Sequence, residues 1–140
     1  MLFRSVRVLS AYVAAFAPDS PVADRRRALD SVRQVAREFG TAREVWKQLI
    51  AGDAYITAAR VAEQLSDPVA AAAAWSAALE LHVRADAPLY RRRLARVRAA
   101  VARYQARSDP AGARHLADLA RAWYAAAGGY DDTLRALLVQ

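Results

Sequence analysis

Seven arginines and no acidic residue fall between Leu89 and Arg107. Read as a helix, this stretch places Arg92, Arg96, Arg103 and Arg107 on one face, at spacings of 4, 7 and 4. Tyr90, Leu94, Val97, Val101 and Tyr104 form an apolar stripe on another, at spacings of 4, 3, 4 and 3. Like charges one turn apart repel by roughly 0.2–0.5 kcal/mol per pair, so four on one ridge call for negative charge nearby. Guanidinium forks suit carboxylates and phosphates alike. Three sources of that charge fit the ridge: internal ion pairs on a solvated face, an acidic protein surface, or the phosphates of nucleic acid. No aromatic residue interleaves on the ridge to stack a single strand, and no nucleic-acid motif is present. The expected external partner is an acidic protein held by Arg92, Arg96, Arg103 and Arg107. Anion or nucleic-acid binding through helix 89–107 is the alternative. A second basic run, Arg25-Arg26-Arg27, points in three directions on a helix and makes no single patch.

Other reactive side chains are sparse. The chain has no cysteine, which excludes thiolate zinc sites, disulfide scaffolds and thiol catalysis. His82 and His115 lie 33 residues apart on different expected helices. His115 and Asp118 share a helix face but supply only two ligands, and a metal needs more. Glu38, Glu44, Glu63 and Glu80 form no paired-helix carboxylate motif. The five glycines form no phosphate-cradling loop. The expectation is a non-enzyme, with no catalytic set, no metal and no cofactor.

These residues must be carried by helices. Alanine fills 36 of 140 positions, against five glycines and five prolines, and alanine is the best helix former and a poor strand residue. Twenty arginines and one lysine give a net charge of +7. Residues 71–140 hold 11 basic and 6 acidic groups, so the surplus lies mainly in the second half. Leu2, Val6, Leu9, Val13 and Phe16 predict an amphipathic helix over 2–17, buried on the next helix or on a second copy of the chain as a homo-oligomer contact. The same stretch reads alternatively as a leader ending at Ala15-Phe16-Ala17, or as a membrane-surface helix with only Arg4 and Arg7 on its basic face. It is too short to span a bilayer, and no other run is long and apolar enough, so a cytoplasmic protein is expected.

Punctuation marks off the remaining helices. Ser20-Pro21 predicts a serine-capped start, with Leu29, Val32, Ala36 and Phe39 inward and Gly40 as a left-handed stop. Thr41 and Glu44 match a capping box for a helix through Val45, Trp46, Leu49 and Ile50. Gly52-Asp53 predicts a break before a helix carrying Tyr55, Ile56, Ala59, Ala62 and Leu65. Asp67-Pro68 opens the next, with Val69, Ala72, Trp75, Leu79 and Val83 inward. Pro88 starts the arginine-rich helix. Asp109-Pro110 opens another, with Ala113, Leu116, Leu119, Ala120 and Trp123 inward, ended by Gly128-Gly129. Asp131 and Asp132 favour a short last helix over 130–139, docked by Leu134, Leu137 and Leu138. All three tryptophans are expected in the core.

Ser66-Asp67-Pro68 recurs as Ser108-Asp109-Pro110, offset by 42 residues, although Trp75 and Trp123 are out of register at that offset. Ala58, Ala59 and Ala62, followed by Ala71, Trp75, Ala78 and Leu79, resemble a tetratricopeptide-repeat (TPR) hairpin over residues 55–81. In that family small residues let two helices approach and an aromatic fills the gap between them. The likeness departs where no Gly follows the first alanine pair and Val83 replaces a closing proline. The resemblance implies an α-solenoid of stacked antiparallel hairpins that binds a protein partner as a non-catalytic scaffold. The expectation is therefore one all-α domain over 1–140, with hairpins over 20–127; a compact helical bundle is the alternative fold.

Overall fold

The computed structural model describes Ser10, Ala17 and residues 19–127. The expected helices over 2–17 and 130–139, with Leu2, Val6, Leu9, Val13 and Phe16, lie outside these residues. Among the described residues the protein is all-helical. It has α1 (Val22–Phe39), α2 (Val45–Gln64), α3 (Pro68–Ala85), a 3-10 turn (Pro88–Tyr90), α4 (Arg91–Gln105) and α5 (Pro110–Ala127). None of these helices is long and apolar enough to cross a membrane. The chain divides into two compact units, Met1–Ala85 and Asp86–Gln140.

In the first unit α2 packs against both α1 and α3. Helix α1 buries Ala28, Leu29, Val32, Val35 and Ala36. Its cap differs from the expected serine: Pro21 holds the N-cap position in an extended conformation, and its carbonyl accepts the amides of Asp24 and Arg25. Gly40 ends the helix, but at φ −65°, not in the left-handed region. Its amide donates to the Ala36 carbonyl at 2.8 Å, and a Cβ there would stand 2.8 Å from that same oxygen. Glycine is needed at this stop for closeness. The Thr41–Glu44 capping box does not form, because Glu44 is itself the N-cap residue of α2. The buried Gln48 side chain ties the connection instead, donating to the Ala42 carbonyl at 2.9 Å. Lys47 donates to Glu44 at 2.9 Å and holds its carboxyl below the ordinary glutamate value.

Helix α2 runs without a break, against the expectation at Gly52-Asp53. Gly52 is buried under the ring of His82 from α3, and an added Cβ would lie 2.8 Å from His82 Nε2. The glycine answers a tertiary contact: it lets α3 lay a histidine ring on the α2 backbone. Helix α3 is likewise rotated from the expected stripe. Val69 is 80% exposed and Val83 51%, whereas Ala71, Ala74, Trp75, Ala78, Leu81 and His82 are buried. The residues that allow close approach face inward and the bulky valines are displaced to the flanks. Trp75 alone bridges the gap, its indole N–H donating to Glu63 Oε1 at 2.8 Å. Trp46 is 39% exposed rather than in the core and tilts against Phe39 at 6.2 Å between ring centres.

The turn between α2 and α3 explains why Ser66-Asp67-Pro68 works. Ser66 sits at φ +55°. Its amide donates to Glu63 O, and that of Asp67 to Ala62 O, which is the Schellman pattern. Asp67 Oδ1 then accepts the Ala70 amide at 3.0 Å as the N-cap of α3, with Pro68 first in the helix.

The second unit opens α5 in the same way 42 residues later, although its turn lacks the left-handed serine and the Asp109 amide donates to the Gln105 carbonyl at 2.8 Å. Asp109 Oδ1 accepts the Gly112 amide at 2.9 Å, and Pro110 opens α5. Helices α3 and α5 both have 18 residues, and at that offset four buried positions coincide, Ala71 with Ala113, Trp75 with Ala117, Ala78 with Ala120 and His82 with Tyr124, whereas buried Ala74 and Leu81 align with half-buried Leu116 and Trp123. Ala95 and Ala99 of α4 cluster with Ala120 and Tyr124, and Trp123 packs edge-on against Tyr124 at 5.2 Å. Leu94, Val97 and Val101 are buried as expected, while Tyr90, Tyr104, Leu116, Leu119 and Trp123 are only half-buried.

Two stability outcomes follow from these contacts. Gly52→Ala gains about 1 kcal/mol of helix propensity but meets His82, at an overpacking cost of about 1–3 kcal/mol. Urea unfolding should show a net loss in the native chain and a net gain in a His82→Ala background. Ser66→Gly removes the strain of a left-handed L-residue and should raise stability by about 0.5–1 kcal/mol, read as a higher urea midpoint at unchanged slope.

Candidate functional site

The arginine-rich segment folds into the 3-10 turn and α4, so the residues expected on one ridge do share one helix. Their environments differ. Arg92 and Arg107 are exposed, and Arg96 and Arg103 are half-buried. The half-buried tyrosines act as platforms: the Arg93 guanidinium lies 4.9 Å from the ring centre of Tyr90, and that of Arg103 lies 5.6 Å from Tyr104. Burial pushes Arg98 below the ordinary arginine value. No acidic side chain among the described residues forms an ion pair with Arg96 or Arg107.

The hairpin brings Arg103 to a different company. The Ser108-Asp109 turn folds α5 back along α4 and opens a groove of about 460 Å³ between them. Its floor is made by Ala102, Ala106, Ala113 and Ala117. Arg103 stands on the α4 side, with Arg114, Asp118 and Arg121 on the α5 side. Arg114 and Arg121 are two turns apart, about 10 Å along the helix axis. Asp118 lies between them and accepts from Arg121 Nη1 at 3.1 Å. Both partners are more than half exposed, so this pair contributes little on its own. Guanidinium groups on both sides with alanine methyl groups between them are chemically suited to carboxylates and to apolar matter.

Of the four expected ridge residues, only Arg103 lines this groove; Arg92, Arg96 and Arg107 do not. Arg114 and Arg121 escaped the sequence reading because they belong to a helix of mixed charge. The available signal was their spacing of 7, together with the antiparallel pairing that the Asp109 cap imposes.

A smaller recess of about 250 Å³ lies in the first unit, beside Arg37, Tyr55, Glu80 and Arg84. Arg84 donates to Glu80 at 2.7 Å, so charge is answered locally there. His82 is 3% exposed and serves the α2–α3 contact. His115 is exposed on α5. Among the described residues no group of three or more His, Asp or Glu side chains is placed to hold a metal ion.

The Asp118 carboxylate in the groove has a measurable role. Asp118→Asn should lower stability by about 0.2–0.5 kcal/mol at low salt. The difference should vanish in 1 M NaCl, where the Debye length falls to about 3 Å; paired urea titrations read it. No family model, no curated protein and no solved structure matches this chain.

Proposed function

We propose that this chain is a non-catalytic protein-interaction module built from TPR-like helical hairpins, and that its α4–α5 groove receives an acidic segment of a partner protein. One observation carries the reading: Arg103, Arg114 and Arg121 line a groove together with Ala102, Ala106, Ala113 and Ala117, and Asp118 is the only acidic side chain in its lining among the described residues. Guanidinium groups on two walls reward carboxylates spaced along a chain, by charge-assisted hydrogen bonds. Phosphate would meet the same charges, but the groove lining holds no aromatic platform for bases. Electrostatic steering by the +7 chain would speed the encounter with an acidic partner.

The test compares ligands at 0.15 M salt. A fluorescein-labelled glutamate-rich peptide should bind the native chain and lose roughly tenfold or more in affinity when Arg103, Arg114 and Arg121 are all changed to Gln. The same charge change made at Arg25, Arg26 and Arg27 should leave binding within about twofold. Micromolar binding of a duplex or a single strand that the groove variant abolishes, with no peptide binding, would overturn the reading in favour of nucleic acid.

A further inference from the structure

The two hairpins share the Asp-Pro start of their second helix and four buried positions at a 42-residue offset, so a difference between them at an equivalent position carries information. Trp75 and Ala117 are equivalent, seven residues after Pro68 and Pro110. In the first hairpin the indole fills the space between α2 and α3 and donates to Glu63. In the second hairpin a methyl group stands there, and a groove of about 460 Å³ opens beside it. The exposures follow. Ala71 is fully buried near Trp75, whereas its equivalent Ala113 keeps 6% exposure, and Ala117 keeps 8%. One turn further, Ala78 and Ala120 are both fully buried. The two hairpins bury Ala78 and Ala120 alike, and differ at the position of the missing tryptophan among others.

We infer that the α4–α5 groove is an aromatic-binding pocket, taking one aromatic side chain from the acidic partner segment beside Ala117, the position where the first hairpin carries Trp75. The inference rests on the acidic-partner reading above and adds the anchor. The space suffices, since an apolar cavity of roughly 150 Å³ accepts a benzene ring. The floor is apolar. The walls carry guanidinium groups, which stack on aromatic faces, as Arg103 already does on Tyr104. Arg114 and Arg121 then meet carboxylates on either side of the anchor, where a partner lacking acidic residues would find only repulsion or desolvation.

The test uses the whole chain at 0.15 M salt and three fluorescein-labelled nonapeptides: a central Trp, Phe or Ala, each flanked by two Glu on both sides and capped by Gly-Ser ends. The Trp and Phe peptides should both bind more tightly than the Ala peptide, by roughly tenfold or more, as for a buried anchor residue. Ala117→Trp should fill the groove from within, raise the melting temperature and abolish the preference for an aromatic side chain. Equal binding of all three peptides to the native chain would overturn the aromatic pocket while leaving the acidic-partner reading in place. Failure of all three to bind would overturn both. The peptide series on the native chain decides the matter even if the Ala117→Trp variant does not fold.

Discussion

Everything described here depends on how closely the two helices of each hairpin approach. An Ala-rich chain has few large side chains with which to fill a core, so its helices gain burial by bringing backbones near to one another. Ala58, Ala59, Ala62, Ala71 and Ala78 are fully buried, and Gly52 takes the ring of His82 directly on its backbone. Close approach lets many small dispersion contacts accumulate where no single side chain contributes much. It also fixes which residues can face inward. Valines at 69 and 83 are displaced to the flanks of α3, and arginines are held to the outer faces and rims.

A seam made of small residues is under-filled wherever the helices splay, and each hairpin meets that problem once. The first closes its open end with Trp75, held by a hydrogen bond to Glu63. The second leaves Ala117 at the same place and surrounds the opening with Arg103, Arg114 and Arg121. Under the proposed function, stability and binding are alternative uses of one position: the first hairpin fills it with its own indole, and the second leaves it to a partner's side chain.

What the sequence made legible follows the range of the forces involved. The Asp67-Pro68 and Asp109-Pro110 starts are visible in the chain because a cap is a contact between residues three apart. The buried stripe of α4 is visible because Leu94, Val97 and Val101 are large as well as periodic. Gly52 misleads, because glycine reads as a break and its actual cause is a histidine thirty residues later. The α3 stripe misleads because size was taken as the sign of burial, where the seam selects smallness. The arginine ridge was legible as a charged face, but only Arg103 reaches the groove. Arg114 and Arg121 join it through the hairpin turn, which helix periodicity alone does not reveal. At the 42-residue offset Trp75 aligns with Ala117, and Trp123 belongs to another position.

The most direct measurement is native-state hydrogen exchange on the whole chain, resolved by residue. A closed seam should protect the amides of Ala58, Ala59, Ala62, Ala71 and Ala78 most strongly. Protection in the second hairpin should be lower and graded, highest around Ala99 and Ala120 and falling toward Ala102, Ala113 and Ala117 at the open end. Uniform protection along the second hairpin, or stronger protection at its groove end than in the first, would contradict the view that one hairpin is closed by its own tryptophan and the other is left open for a partner.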